Sequence, residues 1–220
     1  MSGRTIAIGD IHGYSQPLAA LLAAIGPKPE DLIIPLGDFV DRGPDTPGTM
    51  KILIELARHC RLAPLLGNHD EMLLSVRATG QRLEEWLSFG GAETLEAYGV
   101  DSPREIPEEH VRFLSNCFPF YETRTHLFVH ASYLDDQPLV MLSGAVLRWE
   151  SLRRRRPGPH YSGKAAIAGH TSQKDGQILD LGHLTCIDTY CYGGYWLTAL
   201  DVLSGQLWQA DPKGQMRKAT

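Results

Sequence analysis

Five short segments of this chain combine metal-ligand residue types with flanking glycines or a preceding apolar run. In chain order they are GDIHG at 9–13, GDFVDRG at 37–43, GNHD at 67–70, VHA at 129–131 and GHT at 169–171. Together they offer carboxylate, amide and imidazole donors, with an arginine and a further histidine beside them. Such a set is sufficient to hold two divalent cations and to hydrolyse a phosphate ester with a metal-activated water.

The spacing of these donors indicates how they would surround the cations. In extended backbone, side chains two residues apart point the same way, so Asp10 and His12 can close on one cation. The two carboxylate oxygens of Asp38 allow it to bridge a pair. The remaining donors are Asn68, His130 and His170. This mixture of oxygen and nitrogen ligands suits manganese, iron or zinc better than magnesium or calcium, and we expect manganese.

The elements that must position these motifs alternate along the first seventy residues. The pattern predicts strand, helix, strand, helix and strand over 5–8, 15–25, 32–36, 47–59 and 62–66. A β-α-β-α-β order implies parallel strands joined by right-handed crossovers. Ligands of such sheets gather at the carboxyl ends of the strands, where the first three motifs fall.

The rest of the chain divides into a helical segment and a strand-rich segment. Residues 71–118 have a helical pattern without a site motif, so we predict a small helical cap inserted into a single domain spanning 1–220. Further strands are predicted at 127–129, 165–168, 184–188, 196–201 and 206–209. One D-x-H or one Asn-His pair is usually an ordinary turn or loop, but five such motifs, mostly at strand ends, are not a coincidence.

The motif order GDIHG, GDFVDRG, GNHD, VHA, GHT resembles the phosphoprotein phosphatase family of metallophosphoesterases, and especially its small bacterial and phage-type serine/threonine phosphatases. The resemblance extends from about Arg4 to Asp201. It implies an α/β class protein, a calcineurin-like four-layer α/β/β/α sandwich, with two metal ions between its sheets. By motif position, one cation would be held by Asp10, His12 and Asp38, and the other by Asp38, Asn68, His130 and His170.

The resemblance also assigns catalytic roles. A hydroxide bridging the two cations would attack phosphorus directly, with His69 as the general acid and Asp41 as the residue that orients it. Arg42 would bind the substrate phosphate through its planar fork of donors. A second phosphate-binding arginine is expected between the fourth and fifth motifs, where Arg148 is our choice and the run at 153–156 competes with it.

These residues are compatible with three functions. The first is a phosphomonoesterase acting on phosphoserine, phosphothreonine and phosphotyrosine. The second is a symmetrical diadenosine tetraphosphate hydrolase, because that related branch also reads GNHD, with an aspartate at the position of Asp70, although it usually lacks the aspartate found here at Asp41. The third is a phosphoprotein-binding module without activity, which no lost ligand position favours.

Bulk properties favour an ordinary globular enzyme. The net charge of −5 argues against a dedicated nucleic-acid binder. Four scattered cysteines without a C-x-x-C pair indicate reduced thiols. The N-terminal residues have no signal-peptide pattern, and no apolar run is long enough to span a bilayer. We therefore expect a cytoplasmic protein that binds a phosphorylated protein or a small phosphoester and no membrane, while its oligomeric state is open.

Overall fold

A computed structural model describes residues 3–217 of the chain. Ten strands form two sheets: β1 Thr5–Ile8, β2 Leu32–Pro35, β3 Arg61–Leu62, β4 Phe120–Glu122, β5 His126–Val129, β6 Ala165–Ala168, β7 Leu179–Asp180, β8 Leu184–Cys186, β9 Leu197–Asp201 and β10 Leu207–Ala210. The α-helices are α1 Ser15–Ile25, α2 Thr46–Leu56, α3 Asn68–Thr79, α4 Leu83–Trp86, α5 Ala92–Tyr98 and α6 Glu108–Ser115.

Each sheet has five strands and mixes parallel with antiparallel pairing. The strand order is β10-β9-β1-β2-β3 in the first sheet and β4-β5-β6-β8-β7 in the second. Strands β1, β2 and β3 are parallel, which confirms the predicted β-α-β-α-β unit. In the second sheet, β5, β6 and β8 are likewise parallel. All these strands end at the same side of the molecule, which brings the five motifs together.

The two sheets face each other across an apolar layer. Its buried side chains come from both sheets and include Ala7 and Ile34 from the first and Phe128 and Ile167 from the second. Helices α1 and α2 cover the outer face of the first sheet. The outer face of the second sheet packs against the segment 131–152, which contains short helical turns rather than long helices. The two-sheet α/β sandwich implied by the resemblance is confirmed.

The segment 71–118 is helical, as its pattern indicates. Helices α3 to α6 are joined by a π-helical turn, Leu87–Gly91, and a 3-10 turn, Pro103–Glu105. Buried residues of this segment, including Leu73, Trp86 and Leu114, share one core with α1 and the first sheet. The single-domain boundary at 1–220 stays a prediction. Within residues 3–217, no helix has both the length and the apolar character needed to cross a bilayer.

A buried ion pair fixes the start of the first two strands. The Asp31 carboxylate accepts hydrogen bonds from the main-chain nitrogens of Arg4 and Lys28, both at 2.9 Å, and from the Arg4 guanidinium. Burial raises the pKa of Asp31, but these hydrogen bonds outweigh it and lower the pKa to about 2. Because this value lies below that of the unfolded chain, about 3.9, the pair stabilises the fold fully above about pH 4.

We expect Asp31→Asn to lower the free energy of unfolding by about 1–3 kcal/mol at pH 7, because charged hydrogen bonds are lost. The difference from the unmodified protein should shrink as the pH falls through about 4 toward the lowered pKa of about 2. Urea unfolding at pH 7 and at about pH 3, between the two pKa values, measures both quantities. An equal difference at the two pH values would contradict the role of the ionised carboxylate.

Candidate metal centre

Several motif residues, which follow the ends of strands, adopt backbone conformations that are unusual for residues other than glycine. Left-handed φ values of 47° to 71° occur at His12, Asp38, Asp41, Arg42 and His170. Such conformations cost about 1–3 kcal/mol each and cluster at functional sites. At these residues the backbone turns away from the strand direction, so that several polar side chains converge on one buried region.

Asp38 lies at the middle of this region. Its Oδ2 is 3.6 Å from His12 Nε2, and its Oδ1 is 3.5 Å from His130 Nε2. Burial alone would raise the pKa of Asp38, but the surrounding imidazoles lower it well below the ordinary value. The carboxylate is therefore ionised, with one oxygen directed at each of two histidines, as a bridging ligand requires.

Asn68, His130 and His170 meet on one side of Asp38. The Asn68 Oδ1 atom lies 3.0 Å from His130 Nε2 and 2.9 Å from His170 Nδ1. His130 donates its Nδ1 proton to the Leu36 carbonyl at 2.8 Å, so its Nε2 presents a lone pair. Burial lowers the pKa of His170 to about 4, which keeps that imidazole neutral as well.

His12 and Asp10 lie on the other side. His12 donates Nδ1 to the Val40 carbonyl at 3.0 Å, so Nε2 of the neutral ring carries the lone pair that would coordinate a cation. The buried carboxylate of Asp10 accepts from the main-chain nitrogen of His170 at 3.0 Å. A Cβ atom at Gly169 would lie 2.1 Å from Asp10 Oδ1, so only glycine fits beside this carboxylate.

These donors fit a pair of divalent cations. Two groups of titratable side chains have ligand atoms within 4.8 Å of one another, namely His12, Asp38 and His69, and Asp38, His130 and His170. Asn68 Oδ1 lies 3.0 Å from Nε2 of His130, and because His130 Nδ1 donates to the Leu36 carbonyl, Nε2 of the neutral ring has no proton for this oxygen. Outer hydrogen bonds to main-chain carbonyls orient the imidazoles, which is usual for metal-bound histidine. Asp10 lies outside both groups, and its role as a ligand stays a prediction.

His69 and Asp41 form a buried pair next to this centre. His69 Nδ1 donates to Asp41 Oδ2 at 2.7 Å, so Nε2 faces the cavity. Burial lowers the pKa of His69, but the carboxylates of Asp38 and Asp41 raise it above its ordinary value. A protonated imidazole is thus favoured where a leaving group would need a proton, which is the arrangement predicted for these two residues.

Helical-segment residues that the motifs do not contain hold Asp41 in place. Trp86 Nε1 lies 3.1 Å from both carboxylate oxygens, and Thr94 Oγ1 donates to Oδ1 at 2.9 Å. The Asp41 main-chain nitrogen donates back to Thr94 Oγ1 at 2.8 Å. The sequence analysis assigned no role to Trp86 or Thr94. The helical segment therefore supports the acid pair.

Arg42 lies beside His12 and His69, with its Nη1 atom 2.7 Å from His12 Nε2 and its Nη2 atom 2.8 Å from His69 Nε2. The guanidinium also stacks on the Tyr192 ring, 4.2 Å from the centroid, and the Tyr192 hydroxyl is 3.1 Å from Ser172 Oγ. The sequence analysis gave no role to Tyr192 or Ser172, although both line this cavity.

The two candidates for the second arginine have different surroundings. Arg148 binds Glu71 on helix α3, and its side chain does not line the cavity that contains His69. Arg153, from the competing run, lines this cavity of about 310 Å³ and donates to the Ser172 carbonyl. The assignment of Arg148 stays a prediction, and the geometry favours Arg153.

Asp70, the residue that separates two branches of relatives, has no contact with the cavity. It is buried and accepts from the main-chain nitrogens of Asp38 and Phe39 at 2.9 Å and of Gly67 at 3.0 Å. Burial and the charge of Asp38 raise the pKa of Asp70 to about 7. It shapes the turn that holds Asp38 and cannot select a substrate by direct contact.

A family model described as calcineurin-like phosphoesterase matches residues 3–197. The chain therefore belongs to the calcineurin-like phosphoesterase family, and it is a metallophosphoesterase with two candidate ligand groups sharing Asp38.

Relatives within this family have two different activities by name. Serine/threonine-protein phosphatase 1 of Salmonella typhimurium is 36% identical over 85 residues, which are 38% of this chain and 37% of that protein. The symmetrical bis(5'-nucleosyl)-tetraphosphatase of Ralstonia nicotianae is 44% identical over 77 residues, 35% of this chain and 26% of that protein. The aligned stretches thus span well under half of these curated relatives.

A solved structure of a candidate diadenosine tetraphosphatase has the same fold over nearly its full length. Its TM-score is 0.74 with 22% sequence identity, and the match covers 96% of this chain and 94% of that one. At this identity the likeness shows the fold, and the choice of substrate needs further argument.

Proposed function

We propose that this protein hydrolyses dinucleoside polyphosphates, with symmetrical cleavage of diadenosine tetraphosphate as its leading activity. Support comes from the curated tetraphosphatases that resemble it at 39–45% identity over their aligned stretches. A second support is the space beside the metal centre, where a cavity of about 310 Å³ shares Met72 and Trp149 with another of about 420 Å³. A phosphoryl group alone needs much less space than this.

The chain's own residues bind and orient the phosphate chain in this proposal. Bound between the sheets, two divalent cations would activate a water for attack on phosphorus, with manganese the expected metal and iron or zinc the alternatives. Arg42 and Arg153 line the cavity and supply positive charge for the phosphate oxygens. His69, held by Asp41, would place Nε2 next to the departing phosphate oxygen, which leaves without needing a proton at neutral pH.

Phosphoserine and phosphothreonine hydrolysis is a second candidate, because of the hydrogen-bonded pair of His69 and Asp41. Departure of an alkoxide needs a proton, since an oxygen of this kind resembles water, with a pKa near 15.7. A phosphate leaving group has a second pKa of about 6 and departs without help at neutral pH. A supported general acid is therefore more useful to a phosphomonoesterase than to a tetraphosphatase.

A substrate panel decides between these candidates. The protein supplied with manganese is incubated with diadenosine tetraphosphate, a phosphoserine peptide and p-nitrophenyl phosphate, and the products are separated by chromatography. The leading proposal expects adenosine diphosphate as the product of the first substrate, at a higher kcat/KM than for the peptide. Turnover of the peptide alone would favour the second candidate, and no turnover of any substrate would favour a binding module.

Thr94→Val tests the support of the acid pair. We expect kcat for the phosphoserine peptide to fall about tenfold with KM unchanged, since one hydrogen bond to Asp41 is lost. Thr49→Val is a matched control, because the buried Thr49 Oγ1 has no hydrogen-bond partner within residues 3–217. Equal kcat values in the two variants would contradict a role for Thr94.

The proposal also places the protein in the cytoplasm. Its partner is a phosphorylated protein or a small phosphoester, and it binds neither nucleic acid nor a membrane. The negative net charge of −5 and the enclosed site are consistent with a small anionic substrate bound by metal and arginine rather than a polyanion bound along a basic surface.

A further inference from the structure

A second and larger cavity lies beside the metal centre. It has a volume of about 420 Å³ and is formed mainly by helices α3 and α4. Met72 and Trp149 line both this cavity and the one that contains His69, so the two are adjacent. A ligand whose phosphate lies near His69 can therefore extend past Trp149 into the second cavity.

Trp149 is exposed but held in one orientation. It ends a π-helical turn, Ala145–Trp149, and 42% of its surface is accessible. Its Nε1 donates to Glu71 Oε2 at 2.7 Å, while Arg148 binds the other oxygen of the same carboxylate. An aromatic ring fixed in advance loses little side-chain entropy when a ligand stacks on it.

The surface of the second cavity combines apolar and polar groups. Met72, Val76 and the buried Trp86 contribute apolar area. Ser75 and Glu85 contribute hydrogen-bonding groups. A planar heterocycle with apolar faces and polar edges matches this combination, whereas a flexible aliphatic chain would leave the polar groups unpaired.

The charges of the second cavity exclude a phosphate group. The acidic side chains Glu71 and Glu85 line it, and each is paired with an arginine, Arg148 and Arg82 respectively. No net positive charge is left there for an anion. Phosphates are thus favoured on the Arg42 side, and an uncharged part of the substrate is favoured in the second cavity.

We propose that the second cavity is a nucleoside subsite in which Trp149 stacks on the nucleobase of the leaving nucleotide. The inference rests on the dinucleoside polyphosphate activity proposed above and adds the residues that recognise the base. Stacking on a fixed indole accepts different bases, so the subsite selects a nucleotide over a phosphopeptide more strongly than it selects adenine over another base.

Binding of non-hydrolysable ligands tests this subsite without turnover. The protein supplied with manganese is titrated calorimetrically with adenosine 5'-(α,β-methylene)diphosphate and with methylenediphosphonate, which lacks the nucleoside. We expect Trp149→Ala to weaken binding of the nucleotide analogue about tenfold and to leave methylenediphosphonate binding unchanged. Trp149→Phe, which keeps a ring, should retain most of the affinity.

Tyr161→Ala is the matched control, since Tyr161 is an exposed aromatic residue that lines neither cavity. Unchanged methylenediphosphonate binding shows that each variant has kept its metal centre. The inference is overturned if Trp149→Ala binds the nucleotide analogue as tightly as the unmodified protein does. If Trp149-dependent nucleotide binding is found but diadenosine tetraphosphate is not cleaved, the proposed activity fails while the nucleoside subsite stands.

Discussion

His69→Asn is expected to reduce kcat for a phosphoserine peptide by roughly 10²-fold or more, because the alkoxide then departs without a proton. His69 Nδ1 is bonded to Asp41, so Nε2 is the atom that faces the cavity and delivers the proton. The carboxylates of Asp38 and Asp41 raise the pKa of His69, which keeps this proton available near neutral pH. Initial rates with the variant and the unmodified protein measure the loss.

His69→Asn should reduce kcat for diadenosine tetraphosphate much less than kcat for the phosphoserine peptide. Its leaving group is a nucleoside diphosphate, and a phosphate oxygen with a second pKa of about 6 departs without protonation at pH 7. The ratio of the two losses therefore measures proton donation separately from general damage to the site. Equal losses with both substrates would contradict the role of His69 as an acid.

Two controls accompany this comparison. His69 also belongs to a group of close ligand atoms with His12 and Asp38, so the metal content of the variant must be measured and should stay nearly intact. His59→Asn makes the same chemical change at an exposed histidine outside the site and should alter neither rate. A loss of metal in His69→Asn would mean that this imidazole is a ligand rather than the acid.

The parts of the site that could be predicted from sequence are those encoded within one strand and its following turn. Asp10, Asp38 and Asn68 each follow a short apolar run and one glycine, and His12 comes two residues after Asp10, so the strand ends place all four at one sheet edge. Helix α1 was predicted at its observed bounds, Ser15–Ile25, from its apolar spacing and flanking residues. In both cases the determining interactions are local.

Interactions between distant parts of the chain could not be predicted in this way. Trp86 and Thr94 reach Asp41 across 45 and 53 residues, and nothing in their own neighbourhood indicates a carboxylate partner. The same holds for Glu71, which binds Trp149 at a separation of 78 residues. Such contacts depend on how the helical segment packs on the sheet, which a pattern along the chain does not record.

Short elements were predicted less well than long ones. The third strand was expected at 62–66 but comprises only Arg61–Leu62, since Pro64 cannot donate to a neighbouring strand. Strands β4 and β7, of three and two residues, were not predicted, because so few residues show no periodicity. Tyr190 adopts a left-handed φ of 64°, so its turn is kept at some cost in strain.

Asp38→Asn is expected to reduce the metal content from two cations per chain to one or none. One oxygen of Asp38 faces His12 and the other faces His130, so this carboxylate is the group shared by both sets of ligands. An amide keeps a single neutral oxygen and cannot serve both sides. The charge of the centre also becomes less negative, which weakens its attraction for divalent cations.

Turnover of every substrate should fall as metal content falls. The loss should exceed the ~10–100-fold that is typical when a residue supporting a metal ligand is replaced. Metal content after dialysis, measured by inductively coupled plasma mass spectrometry, is the primary readout, because it does not depend on knowing the substrate. Asp31→Asn makes the same change at a buried aspartate remote from the centre and should retain both cations.

The outcome separates a bridging ligand from a supporting residue. Asp38 Oδ1 also accepts a hydrogen bond from the main-chain nitrogen of His69 at 3.0 Å, a contact that an asparagine oxygen can preserve. If the variant still holds two cations but has lost activity, Asp38 acts by positioning His69 and not by bridging. His12 and His130 lie at different oxygens of this carboxylate. If Asp38 bridges two cations, the variant should therefore lose at least one of them while its fold stays intact.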